Sequence, residues 1–141
     1  EDFLLHLDSL YIKDYNINIK PHPRDNFNFG KLEKLNILSK EIDIDTAIAN
    51  HDIIVCATSL STALIQAGLL GKKTLFIKTR NLSYLMESYD FYISNFPSVS
   101  KNTFDENSFS KANKNDSDIL DKFISKKSLY SSEIILDEVT K

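Results

Sequence analysis

The segment Lys20-Pro21-His22-Pro23-Arg24-Asp25 holds an imidazole between two prolines and brackets it with two cations. The proline rings fix the local backbone and remove competing N–H donors. An imidazole titrates near neutrality, so His22 can donate to a phosphate or serve as a general acid toward a leaving group. A guanidinium such as that of Arg24 can clamp a carboxylate or phosphate through two parallel hydrogen bonds. Further along, Thr58-Ser59-Leu60-Ser61-Thr62 places a hydroxyl cluster ahead of an apolar helical repeat. There the hydroxyls of Ser61 and Thr62, the free N–H groups of a first turn and the helix dipole suit an oxyanion. Each element also has a plain structural reading. His22 can be a histidine packed at a strand end, Lys20 and Arg24 solvated surface charges, and the serines and threonines ordinary helix caps. Taken together they read as half of an anion-binding site, with a nucleotide phosphate fitting between them.

Other reactive side chains offer less. His6 and His51 have no partner visible in the sequence and are assigned no role beyond structure or exposure. Cys56, the single cysteine, falls inside an apolar strand, where a thiol acts as a small hydrophobe; it allows neither a disulfide nor a cysteine-based zinc cluster. Asp43 and Asp45 form a carboxylate pair that solvation and helix capping explain, and no His, Cys and Asp spacing suits a metal. No protein-bound metal and no cofactor are expected. The chain has only three glycines, with no dinucleotide fingerprint and no phosphate-cradling Gly-rich Lys-Ser/Thr loop.

The elements that must position these residues alternate between strand and helix, the rhythm of an α/β domain with a Rossmann-like parallel sheet flanked by helices. An amphipathic helix spans about Asp2 to Lys13, with Phe3, Leu7, Leu10 and Asp14 at helical spacing. Ile17 and Ile19 then alternate with polar residues as a strand that Pro21 and Pro23 stop, which puts His22 at a strand end. Residues 26–34 read as a loop leading into a short helix, and Leu35 to Leu38 as a second strand. Asp45 caps a short helix carrying Ala47, Ile48 and Ala49. Asp52 to Ala57 is continuously apolar and is expected at the centre of the sheet. Ser59 or Ser61 starts the next helix, which runs through Ala63, Leu64, Ala67 and Leu70 until Gly71 caps it. Lys73 to Lys78 returns to the sheet. A helix over Leu82 to Ser88 and a strand over Phe91 to Ile93 complete the pattern.

At 141 residues the chain supports one sizeable core. Residues 1–97 read as the domain core, 98–117 as a polar loop or partly disordered segment, and 118–141 as two helices packing on the domain or on a missing partner half. The chain starts without methionine and lacks a targeting segment, so it is expected to be a piece excised from a longer protein. A net charge of −3 with dispersed lysines argues against a nucleic-acid groove. No apolar stretch approaches the roughly 20 residues that span a bilayer. A cytoplasmic setting is expected.

The order Lys20-Pro21-His22-Pro23, then Ser61-Thr62, Gln66-Ala67 and Gly71-Lys72 resembles the donor-binding, C-terminal half of GT-B type glycosyltransferases that build bacterial surface polysaccharides. Most similar are the sialyltransferase and polysialyltransferase families, with their His-Pro and Ser-Ser/Thr motifs, and the capsule Kdo-transferase-like proteins. The resemblance covers about Asn16 to Lys78. It implies inverting transfer from a nucleotide-activated sugar, a CMP sugar such as CMP-sialic acid, without a catalytic metal. His22 would contact the donor phosphate and assist departure of the nucleotide. Ser61 and Thr62 would bind that phosphate, with Pro23, Arg24, Ser59 and Gln66 completing the donor site. Gln66 stands where related enzymes often carry an acidic residue that holds the ribose, and Lys73 where they often have proline. The acceptor-activating carboxylate of these families lies in an N-terminal half that this chain lacks, so binding with little turnover is expected here. The partners implied are the nucleotide sugar and a glycan acceptor held by that half, with the full-length protein at the inner face of the cell membrane. A CDP-glycerol-type polyol phosphate transferase of teichoic acid synthesis also resembles this domain in fold, and that family uses an Arg-x-His-Pro element and a serine pair. A sugar-nucleotide 2-epimerase fits less well, because its Ser-Gly-Gly segment is replaced here by Ser-Leu-Ser-Thr. A non-catalytic α/β module that binds a partner protein is the remaining alternative.

Overall fold

Parallel pairing organises the chain. The computed structural model describes residues 2–57, 62–79 and 86–114, with the backbone alone at 86–89 and 91. Helix α1 (Asp2–Ser9) leads to β1 (Asn18–Ile19), a 3-10 turn (Phe29–Lys31) and β2 (Asn36–Ile37). Then come α2 (Ile44–Ala49), β3 (Ile53–Cys56), α3 (Ala63–Leu69), β4 (Lys73–Lys78), α4 (Met86–Asn95) and β5 (Ser98–Ser100). Two further 3-10 turns precede β6 (Asn113–Lys114). β1 pairs with β2, and β3 with β4 and β4 with β5, all parallel; β6 adds antiparallel to the start of β4. The result is a mixed α/β architecture of parallel strands flanked by helices, the Rossmann-like class that the alternation predicts.

β4 shows why the strands form where they do. Successive side chains point to opposite faces. Leu75 and Ile77 therefore enter one core with Leu7 of α1, Val99, Phe104 and Phe109, while Phe76 enters another with Leu64, Ile65, Tyr92 and Phe96. Both faces of β4 are covered, and Leu75, Phe76 and Ile77 are 0–1% exposed. Burial of such a side chain contributes about 1.5–3 kcal/mol. Ala63 and Ala67 of α3 meet Ile48 of α2, small residues letting the two helices close on one isoleucine. Gly71 ends α3 at φ +69°, with its own N–H donating to Gly68 O at 3.0 Å and that of Lys72 to Ala67 O at 3.0 Å. Those two bonds are a complete Schellman cap.

Several expected boundaries move. α1 stops at Ser9, not Lys13, closing with the Leu10 N–H on Leu7 O at 3.2 Å, and the Asp8 carboxylate near its end accepts the backbone N–H groups of Glu33, Lys34 and Leu35 at 2.9–3.1 Å. Asp43, not Asp45, caps α2: its carboxylate accepts the Thr46 N–H at 2.8 Å, and Asp45 sits in the first turn. β3 is less central than its sequence implies, with Val55 37% exposed. Among the described residues its ladder runs to β4 only. Phe91 to Ile93 lie within α4, and the following strand is β5. Tyr92 and Phe96 stand one turn apart, and both stack, Tyr92 on Phe76 at 5.3 Å and Phe96 on Tyr92 at 5.5 Å. That face requires helix where consecutive apolar residues suggest strand. The stretch expected as a polar loop from 98 carries β5, both 3-10 turns and β6 as far as Lys114, anchored by Phe104, Ser108, Phe109 and Ala112. Of the helix expected over Leu82 to Ser88, residues 86–88 are helical as the start of α4, which runs on to Asn95; residues 82–85 and the segment 118–141 lie outside the described residues.

Candidate functional site

The loop that follows β1 is built around His22. Pro23 presets the backbone for the first corner of a β-turn, and Asp25 N–H closes it on His22 O at 2.9 Å. Inside that turn the Arg24 N–H donates to Nδ1 of His22 at 3.1 Å. Nδ1 is thus the acceptor, and the neutral ring carries its proton on Nε2. Nε2–H is left as a donor on an exposed side chain. Asp25 then accepts the Phe27 N–H at 2.9 Å, an Asx-turn that leads the chain away.

Two lysines lace this loop to the one that follows β2. Lys20 Nζ donates to Pro21 O at 2.9 Å and to Lys40 O at 3.3 Å, and Lys40 Nζ returns to Asp25 O at 2.7 Å. Carbonyl oxygens orient an ammonium without neutralising it. None of Lys20, Arg24 and Lys40 forms an ion pair with a described residue. The two laced loops therefore bring together three cations that form no ion pair among the described residues, with the carboxylates of Asp25 and Glu41 adjacent in sequence.

On the other element, Thr62 is the N-cap of α3 at φ −81° and ψ 0°, exposed and without a side-chain cap bond. α3 begins at Ala63, so the start expected at Ser59 or Ser61 is not where the described helix begins. Gln66 lies one turn beyond Thr62 on the same face, half-buried. Ser59 and Ser61 lie outside the described residues. The structure thus gathers His22, Pro23 and Arg24 in one turn, and Thr62 with Gln66 on one helix face. Each group follows the carboxyl end of a parallel strand, where ligands collect in open α/β sheets.

The remaining candidates resolve into structural roles. His51 Nδ1–H donates to Ala47 O at 2.6 Å, and its Nε2 accepts from the Asn18 amide at 2.9 Å, tying the start of β1 to the approach of β3. His6 donates from Nε2 to Phe104 O at 2.9 Å. Cys56 is half-buried at the end of β3 against the Phe76 cluster. Among the described residues no three His, Cys, Asp or Glu side chains gather as a metal site. No helix among them is long and apolar enough to cross a membrane. Sequence reasoning missed Lys40, since Ser39-Lys40-Glu41 reads as a solvated loop and nothing in it signals contact with Asp25.

This geometry defines a Rossmann-like α/β domain with a cationic histidine loop at a strand end. Set against protein-family models, curated proteins and solved structures, the chain matches none.

Proposed function

We propose that this chain is the donor-nucleotide-binding domain of a bacterial surface-polysaccharide glycosyltransferase, one half of a GT-B fold, taking its sugar from a CMP-activated donor. The observation that carries the reading is His22, whose Nδ1 accepts the Arg24 N–H, which leaves Nε2–H as the free donor of an exposed side chain on a strand-end loop. Such a donor can bond a phosphate oxygen and stabilise the departing nucleotide. Arg24 supplies charge beside it, Pro23 holds the turn, and Ser59, Ser61 and Thr62 would complete the phosphate contacts, with Gln66 toward the ribose. The acceptor glycan and its activating base belong to another half of the protein, which works on the cytoplasmic face of the membrane. Alone, this chain binds donor and turns over little.

A second reading draws on Lys20 and Lys40. Three cations around one histidine suit a diphosphate better than a single phosphodiester, and that favours a CDP-activated polyol donor. Calorimetric titration with CMP, CDP, UDP and GDP separates the two. Selective CMP binding that His22→Ala and the Ser61→Ala/Thr62→Ala pair both weaken supports the sugar transferase. Selective CDP binding, weakened also by Lys40→Ala, supports polyol phosphate transfer. Absence of binding by any nucleotide to the folded chain and to the full-length protein overturns both and leaves a non-catalytic partner-binding module.

A further inference from the structure

At the other end of β1, away from His22, the chain between α1 and β1 forms a ledge of two tyrosines with a cleft on either side. One cleft, of about 230 Å³, lies between this ledge and the residues entering β2, lined by Leu10, Tyr11, Tyr15, Asn16 and Lys34 among others. The second, of about 240 Å³, runs from the same ledge to Glu106 and Asn107, with Lys13 and Asp14 on its wall. Tyr11, Ile12 and Tyr15 line both. Each volume falls short of the roughly 300 Å³ at which small-molecule pockets begin, so each suits a single ring.

The two tyrosines differ in a way that matters for binding. Tyr15 is anchored, its ring 5.2 Å from that of Phe109 in the core. Tyr11 is 70% exposed, yet Lys13 Nζ sits 5.0 Å from its ring centroid. A cation over one face of an exposed ring weakly favours this orientation and leaves the remaining surface presented to solvent. Around these rings stand Asn16 and Asn107, which both donate and accept, with Asp14 and Glu106 as acceptors and Lys13 and Lys34 as donors. Two cations and two carboxylates cancel, so the clefts do not select a phosphate or a polyanion.

We propose that the paired clefts about Tyr11 bind two successive rings of a neutral oligosaccharide. A pyranose offers what this ledge lacks: a flat C–H face to lie on a tyrosine, edged by hydroxyls that both donate and accept. The site is separate from the His22 loop, because Tyr11 to Asn16 precede β1 and His22 follows it. It anchors a glycan without touching the reacting centre, and it stands whether or not the donor reading holds.

The test is an amide NMR titration of the whole chain with maltoheptaose, chitohexaose and, as an anionic control, an α-2,8-linked sialic acid oligomer. The expected result is saturable movement of the Tyr11, Asn16 and Asn107 signals by one of the neutral glycans at millimolar concentration. Tyr11→Ala should weaken it on the order of tenfold, the loss of one stacked ring. Tyr11→Leu keeps the bulk without the ring and should weaken it as well. The proposal is overturned if neither neutral glycan moves those signals in the folded chain, if both Tyr11 variants bind as well as the wild type, or if the sialic acid oligomer is preferred. CMP is read separately on the His22 to Asp25 signals, so failure of one site leaves the other intact.

Discussion

Arg24 donates its backbone N–H to Nδ1 of His22 at 3.1 Å, so the turn chooses the tautomer of the ring beside it. Ring ¹⁵N spectra of the neutral imidazole should show Nδ1 as the unprotonated nitrogen and Nε2 as the protonated one. The opposite pattern would remove the outward donor on which the phosphate contact depends. His22→Ala should leave stability within about 0.5 kcal/mol of wild type, as for other exposed substitutions, while abolishing donor binding. A large loss of stability would instead make the histidine structural.

Asp8 and Asp43 give the fold an acid limit. The Glu33 N–H, with those of Lys34 and Leu35 and the Lys34 charge, holds the Asp8 carboxyl below the ordinary carboxylate range. Hydrogen bonds from the side chain and then the backbone of Thr46 do the same for Asp43. A carboxyl whose folded pKa is depressed stabilises the protein above its unfolded value, about 3.9, and that contribution is lost as pH falls through the folded value. Asp8→Asn should therefore lower Tm at neutral pH and match wild type only in strong acid. Parallel Tm–pH curves for the two proteins would show that the three amide bonds add nothing through charge.

Gly71 isolates the cost of a backbone conformation. Its φ is +69°, and an added Cβ would meet no atom within 4 Å. Gly71→Ala should then cost about 1–2 kcal/mol, all of it from left-handed strain, without repacking. Denaturant unfolding with an unchanged m-value checks this, and a neutral result would mean that the Schellman cap relaxes.

Such a cap was legible in the sequence because a glycine ending an apolar helical repeat has few other uses, and β4 was legible because Leu75-Phe76-Ile77, bounded by lysines soon after it, has little choice but the sheet. The region from 86 to 100 was not. Phe91-Tyr92-Ile93 satisfies strand and helix periods alike, and the decision falls to Phe76, a distant residue on which Tyr92 stacks. The candidate site divides along the same line. His22 between prolines announces itself locally, as do Thr62 and Gln66 at helical spacing. Lys40 reaches the loop only through the parallel pairing of β1 with β2, and Asp8 finds its three amides 25 to 27 residues away. Contacts fixed by topology leave no trace in local spacing.

His51 is the clearest of these distant contacts, and it joins the two sets of strands. Its Nδ1–H donates to Ala47 O at the end of α2, which leaves Nε2 to accept from Asn18 at the start of β1. No ladder joins β1 to β3 among the described residues, so this side-chain link stands where a main-chain one would. His51→Ala removes both bonds and leaves the Asn18 amide without its partner, at an expected cost of about 1–3 kcal/mol. Asn18→Ala should cost less, because the ring keeps its bond to Ala47. If the link is real, the double variant will be less destabilised than the two single losses added together, with a coupling of roughly 0.5–1.5 kcal/mol. Additive losses in urea unfolding would show that β1 is held by its ladder to β2 and the apolar packing of Ile17 and Ile19, without the side-chain link. In that case the His22 loop would depend for its position on the core beneath it, and His51→Ala would leave nucleotide binding unchanged.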